Sequence, residues 1–196
     1  MKRIIGVTGG IASGKSYVCN VLKELGYPVV DSDEISKELS VKGMPVYQAI
    51  VETFGEEYLT EDGNIDRKKL GLLIFNNSAA KMVLDRATHP LIVEEIKQRI
   101  SNIQESLIFL DIPLLFEAKL EYLCDKIVCV YLERTVQIER LMNRDNIDYN
   151  YALSKIKSQM SLEEKKRLSD YVISTEDGFE KTRERIIELI EIIKGD

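Results

Sequence analysis

Basic charge is in short supply in this chain of 196 residues: Lys and Arg number 27 against 33 Asp and Glu, for a net charge of −6. A general nucleic-acid binder needs the opposite balance, so that class is excluded, although a local basic patch can still bind phosphates. Cysteine is scarce too. The thiols Cys19, Cys124 and Cys129 lack the paired spacing of a zinc site, and an odd number in apolar surroundings reads as reduced, buried, cytosolic cysteines. Histidine occurs once, at His89, and there is no repeat and no Pro- or Ser-rich linker. Long apolar runs are also missing. The stretch in "MKRIIGVTGG" is too short for a signal peptide, and the run Leu107 to Phe116 is interrupted by Asp111 and too short to span a bilayer. The expectation is a cytoplasmic protein with no membrane and no nucleic-acid partner.

What the chain does have is 44% hydrophobic content, enough to bury one sizeable core with a small inserted lobe. Short β-branched and apolar segments at Arg3 to Thr8, Pro28 to Asp31, Leu107 to Ile112, Lys126 to Leu132 and Tyr171 to Ser174 read as five strands. Their apolarity is continuous rather than alternating, which predicts a parallel sheet covered on both faces. Helical patterns separate them, the first running from a glycine loop to about Leu25, so the class is α/β. The interval 32–102 holds helical stretches and no convincing strand, and reads as a helical insertion. A second polar interval, 134–169, is crowded with Arg and Lys and separates the last two strands. The remaining segments, 1–31, 103–133 and 170–196, are then the core. Near the C-terminus, Ile186, Leu189, Ile190 and Ile193 share one helical face that should pack on the sheet.

The strongest motif is "GGIASGKS", where Gly9, four residues, then Gly14, Lys15 and Ser16 fit the phosphate-loop pattern between a strand and a helix. Glycines let backbone N–H groups approach phosphate, and the helix that follows offers its positive end. Lys15 would reach the terminal phosphates and Ser16 would ligate Mg2+. Ala12 and Ser13 in the loop and Tyr17 in the first helical turn complete the expected ATP contacts.

A phosphate loop does not name the acceptor. A GTP-driven switch would carry an Asn-Lys-x-Asp segment, and no Asn here is followed by Lys. A kinase needs a carboxylate for the attacking hydroxyl and cations that close over the γ-phosphate. Arg140 and Arg144 are four apart and share a helical face, with Lys165, Lys166 and Arg167 as a second basic cluster. In "VVDSD", Asp31 has capping-box spacing to Glu34 and suits a helix start, which leaves Asp33 for the chemistry at a strand's carboxyl end. A kinase of another nucleotide or small alcohol, or a non-catalytic ATP-binding module, fits these residues too. His89 precedes Pro90, so its backbone is expected to be extended between two helical stretches.

Taken together, "IGVTGGIASGKS", "VVDSD", "FGEEYLTEDGNIDRKKLGLLIF", "HPLI", "DIPLLFE", "RLMNRD" and "SDYVIS" resemble the dephospho-coenzyme A kinase family, phosphate-loop enzymes of the nucleoside-monophosphate-kinase type. The resemblance implies a three-layer α/β fold with a five-stranded parallel sheet, a helical substrate-binding insertion and a helical lid. It implies transfer of the ATP γ-phosphate, with Mg2+, to the ribose 3′-hydroxyl of dephospho-coenzyme A. On that resemblance Asp33 is the catalytic base, Lys15 holds the β- and γ-phosphates, Arg140 is the lid arginine and Arg144 a second one. His89 and the "DIPLLFE" residue Leu115 are placed beside the acceptor. Thr175 in "ISTEDG" stands where the family commonly carries Asn near the adenine. Asp111 ends its strand as a Walker-B carboxylate would.

Overall fold

The first apolar run becomes β1 (Arg3–Gly9) in the computed structural model, which describes residues 2–195. Ile5 and Val7 on one face are 0 % and 1 % exposed and Thr8 on the other is 0 % exposed, so both faces of the sheet are covered around this strand. β1 pairs in parallel with β3 (Leu107–Asp111) on one side and with β4 (Lys126–Tyr131) on the other. β5 (Tyr171–Ser174) adds to β4, and β2 (Val29–Asp31) lies at the opposite edge, giving a five-stranded sheet in the order β2-β3-β1-β4-β5. The strands expected from sequence are all present, within one residue at each end. The central place of β1 matters for function. Its carboxyl end lies where the chain switches from one side of the sheet to the other, the crevice in which open α/β sheets bind ligands.

Two compact units divide the chain, Met1–Val30 with Glu105–Asp196, and Asp31–Gln104. In the first, α1 (Lys15–Glu24) and α9 (Phe179–Gly195) bury one face of the sheet. Val18, Val21 and Leu22 meet Ile186, Leu189, Ile190 and Ile193 over Phe109, Val128 and Val130. Burial of each such side chain stabilises the fold by about 1.5–3 kcal/mol. Between β4 and β5 run α6 (Arg134–Asp145), α7 (Tyr149–Lys157) and α8 (Leu162–Leu168). Leu162 of α8 packs with Cys129, Tyr131 and Leu132.

The second unit is helical: α2 (Ser32–Leu39), α3 (Pro45–Phe54), α4 (Arg67–Asn76) and α5 (Ser78–Asn102). Asp31 caps α2, its carboxylate accepting from the N–H groups of Asp33 at 2.8 Å and Glu34 at 3.0 Å. The expected break at His89 and Pro90 is absent. α5 runs through both residues as one helix of 25, with Pro90 inside it. Proline there removes one i→i−4 hydrogen bond, but α2, α3 and α4 all pack on α5 and hold it helical. No described helix is long and apolar enough to cross a membrane.

Candidate active site

At the end of β1 the chain must turn sharply enough to start α1 at the sheet's carboxyl edge. It does so with Ala12 at φ 60° and Gly14 at φ 87°, ψ 12°, both left-handed, and with the Ser13 N–H closing onto the Gly10 carbonyl at 3.1 Å. Only glycine adopts the Gly14 geometry without strain, and its lack of a side chain leaves the start of α1 without a side-chain cap. The first N–H groups of α1 therefore stay open to an anion, at the positive end of the helix dipole. The Ser13 hydroxyl is buried with no partner in the protein among the described residues, and a phosphate oxygen would supply one. The loop fits a phosphate group.

Lys15, the first residue of α1, reaches across to β3 and pairs its ammonium with Asp111. That carboxylate is 3 % exposed and also accepts from the Cys19 thiol at 3.2 Å. The loop lysine is thus already aimed along the carboxyl edge of the sheet, with an anion as its present counterion. Ser16 follows and is exposed.

On the far side of the loop, the Arg140 guanidinium of α6 donates to the Thr175 hydroxyl at 3.0 Å and to its carbonyl at 2.7 Å. Thr175, 5 % exposed, passes the connection on, donating to the Ser13 carbonyl at 2.8 Å. Arg140 is therefore held one residue away from the loop. Arg144 is half-exposed and faces Asp145, which also takes Lys155 at 2.8 Å. These two cations hold the Asp145 carboxyl down at about 2. In the helical unit, Asp33 lies exposed in the first turn of α2. His89 sits 3.5 Å from Asp85, one helical turn away on α5.

A model of the dephospho-CoA kinase family matches residues 3–181 of this sequence. The chain belongs to the dephospho-CoA kinase family. A dephospho-CoA kinase from Carboxydothermus hydrogenoformans is 46% identical over 191 residues, covering 96% of this chain and 93% of that protein. The solved dephospho-CoA kinase of Campylobacter jejuni is 30% identical, with a TM-score of 0.71 over 100% of this chain and 99% of its own. A crystal structure from Thermus thermophilus gives a TM-score of 0.87 at 28% identity over 97% of each chain.

Three of the residues singled out from the sequence are tied into the fold itself. The Tyr17 hydroxyl donates to the Phe179 carbonyl at 2.9 Å and its ring lies 4.7 Å from the Phe179 ring, while its N–H is taken by Gly14. It braces α1 on α9. Leu115 is 0 % exposed and packs under Gly6, which makes it core rather than substrate surface. His89 has helical rather than extended backbone, because α5 is continuous. The basic run at residues 165–167 also splits. Arg167 is exposed, Lys166 lies 4.1 Å over the Tyr131 ring, and Lys165 is fully buried, where desolvation pulls its pKa below the usual lysine value.

Sequence reasoning passed over Gln137 and Gln159, whose amides touch the loop. Gln137 is 3 % exposed and four residues before the buried Leu141, so a polar residue on an apolar helical stripe was the available sign. Lys165 stands three residues after the buried Leu162 and carried the same sign.

Proposed function

We propose that this chain transfers the γ-phosphate of ATP to the ribose 3′-hydroxyl of dephospho-coenzyme A, giving coenzyme A and ADP. Membership of the dephospho-CoA kinase family supports the reaction. The observation that carries it at the level of the site is the uncapped start of α1 behind the left-handed Gly14, beside the Lys15 ammonium and the orphaned Ser13 hydroxyl. Together these groups neutralise and orient a polyphosphate.

In this reading Lys15 leaves Asp111 in part to hold the β- and γ-phosphates. Ser16 would hold a Mg2+ ion through its hydroxyl, and Asp111, at the end of β3 and paired with Lys15, would be the carboxylate available to it. Among the described residues no cluster of three or more His, Cys, Asp or Glu side chains is placed to bind a metal. When bound, such an ion would supply charge neutralisation. Asp33 accepts or orients the proton of the acceptor hydroxyl as the new O–P bond forms and the bond from the γ-phosphorus to the bridging oxygen breaks. Arg140 answers the charge on the transferring phosphoryl group, and Arg144 lies one turn further along α6. Residues 32–102 serve the coenzyme and 134–169 act as the lid, with the reaction in the cytoplasm.

The test is purified protein with ATP, Mg2+ and dephospho-coenzyme A, following coenzyme A by mass spectrometry. Product at a rate proportional to enzyme is expected. Folded protein that makes no coenzyme A overturns the assignment.

A further inference from the structure

Phosphate loops owe their shape to backbone conformations that cost free energy, and something must hold them. Here the loop is gripped from outside its own sequence. The Gln137 carboxamide nitrogen donates to the Ile11 carbonyl at 2.8 Å, and the Gln159 carboxamide oxygen accepts from the Ile11 N–H at 2.9 Å. Both backbone groups of one loop residue are thus held by two amides of opposite polarity. One comes from α6, the other from the junction between α7 and α8. The approach is close: a Cβ on Gly10 would come within 2.8 Å of the Gln137 amide nitrogen and 3.1 Å of Leu162. At the base of the loop, Lys165 donates to the Gly9 carbonyl at 3.3 Å and the Pro113 carbonyl at 2.7 Å, and pairs with Glu117 at 3.0 Å. Three acceptors match the three donors of its ammonium.

We propose that Gln137 and Gln159 are positioning residues for phosphoryl transfer. They fix the orientation of the Ile11 peptide groups, and through Ala12 and Ser13 the direction in which the loop presents its N–H groups to ATP. Lys165 anchors the strand end from which the loop departs. The basic segment between β4 and β5 then has a second task beside supplying arginines, which is to hold the phosphate loop in its binding shape. Neither amide touches the reacting atoms, so both act through the backbone of the loop.

This inference rests on the kinase reading, and its test exploits the opposite polarity of the two amides. Gln137→Glu replaces a donor with a carboxylate facing a carbonyl, whereas Gln159→Glu keeps the acceptor that Ile11 needs. The two changes are otherwise the same in size and added charge. Loss of one net hydrogen bond to a buried group corresponds to about ten-fold in affinity. Gln137→Glu should therefore raise KM for ATP about ten-fold or more, and Gln159→Glu should stay within about three-fold of wild type. KM for dephospho-coenzyme A should move far less in both. Equal effects of the two substitutions, or none, would overturn the proposal, because repulsion between added charge and ATP would act on both alike. If Gln137→Glu shows no cooperative melting, Gln137→Leu and Gln159→Leu replace the pair. Both should then raise KM for ATP selectively, and a parallel rise for both substrates counts against the inference. An inactive wild-type protein would strike at the kinase assignment instead, and calorimetric ATP binding by the same variants reads the loop independently of turnover.

Discussion

Asp31 and Asp33 are two positions apart at the start of α2, and substitutions at the two should have different consequences. Asp31→Ala removes the acceptor for two N–H groups of the first turn and should lower stability by about 0.5–2 kcal/mol, read from urea denaturation. Asp33→Asn keeps the backbone N–H that Asp31 holds and should lower kcat by about 10²–10⁴-fold with ATP affinity nearly intact, read by steady-state kinetics and calorimetry. A small effect on kcat would reduce Asp33 to orienting the hydroxyl. Arg140→Ala should cut kcat with a modest change in KM, since its proposed contact forms chiefly to the transferring group. At this scale the sequence was informative where the chemistry is local. A cap can be read from a spacing of three, and Asp31 makes it. The Tyr17 hydroxyl and the Leu115 side chain were not legible, because their partners, Phe179 and Gly6, lie more than a hundred residues away in sequence.

For an element, the question is which face it buries, and α9 offers a clean comparison. Ile190 is 3 % exposed against the sheet, whereas Ile192, two positions on, is 54 % exposed. Ile190→Ala should cost about 2–5 kcal/mol of folding free energy by leaving a cavity. Ile192→Ala should stay within about 0.5 kcal/mol, and both are read from denaturation midpoints at constant m-value. The stripe was visible beforehand because a period of 3.6 is a property of the helix alone. The continuity of α5 through Pro90 was not. The local rule against helix before proline is a bias of a few kcal/mol at most, and packing by three neighbouring helices exceeds it. In α8 the run Lys165, Lys166 and Arg167 reads as one basic cluster, and the tertiary environment splits it by burying Lys165.

The whole molecule carries its ionisation as a stability profile in pH. Burial pushes the thiols of Cys124 and Cys129 up to about 12 from an ordinary value of 9.0. A raised folded pKa means that the unfolded chain releases these protons first. Stability from the thiols is therefore complete below about pH 9 and is lost as pH rises toward 12. Lys165 has the opposite sign, its folded pKa lying below 10.5, so its buried charge becomes less costly as pH rises toward that value. Melting temperatures between pH 8 and 11 should fall, and a Cys124→Ala, Cys129→Ala double variant should show a shallower fall than wild type. The fold class was readable at this scale because buried parallel strands leave continuous apolar runs. Strand order was not, since hydrogen bonds between β1, β3 and β4 leave no periodic trace in either partner.

The same long separations govern how the protein is made. Ile11 is joined to Gln137 and Gln159 across 126 and 148 positions, Gly9 to Lys165 across 156, and Ser13 to Thr175 across 162. At about 5–20 residues per second on the ribosome, the nucleotide loop is synthesised on the order of ten seconds before the residues that hold it. A nascent chain halted at residue 150 would display "GGIASGKS" in full and still lack most of its supports. The loop therefore takes its supported shape only after residues 137–175 have been made, long after its own synthesis.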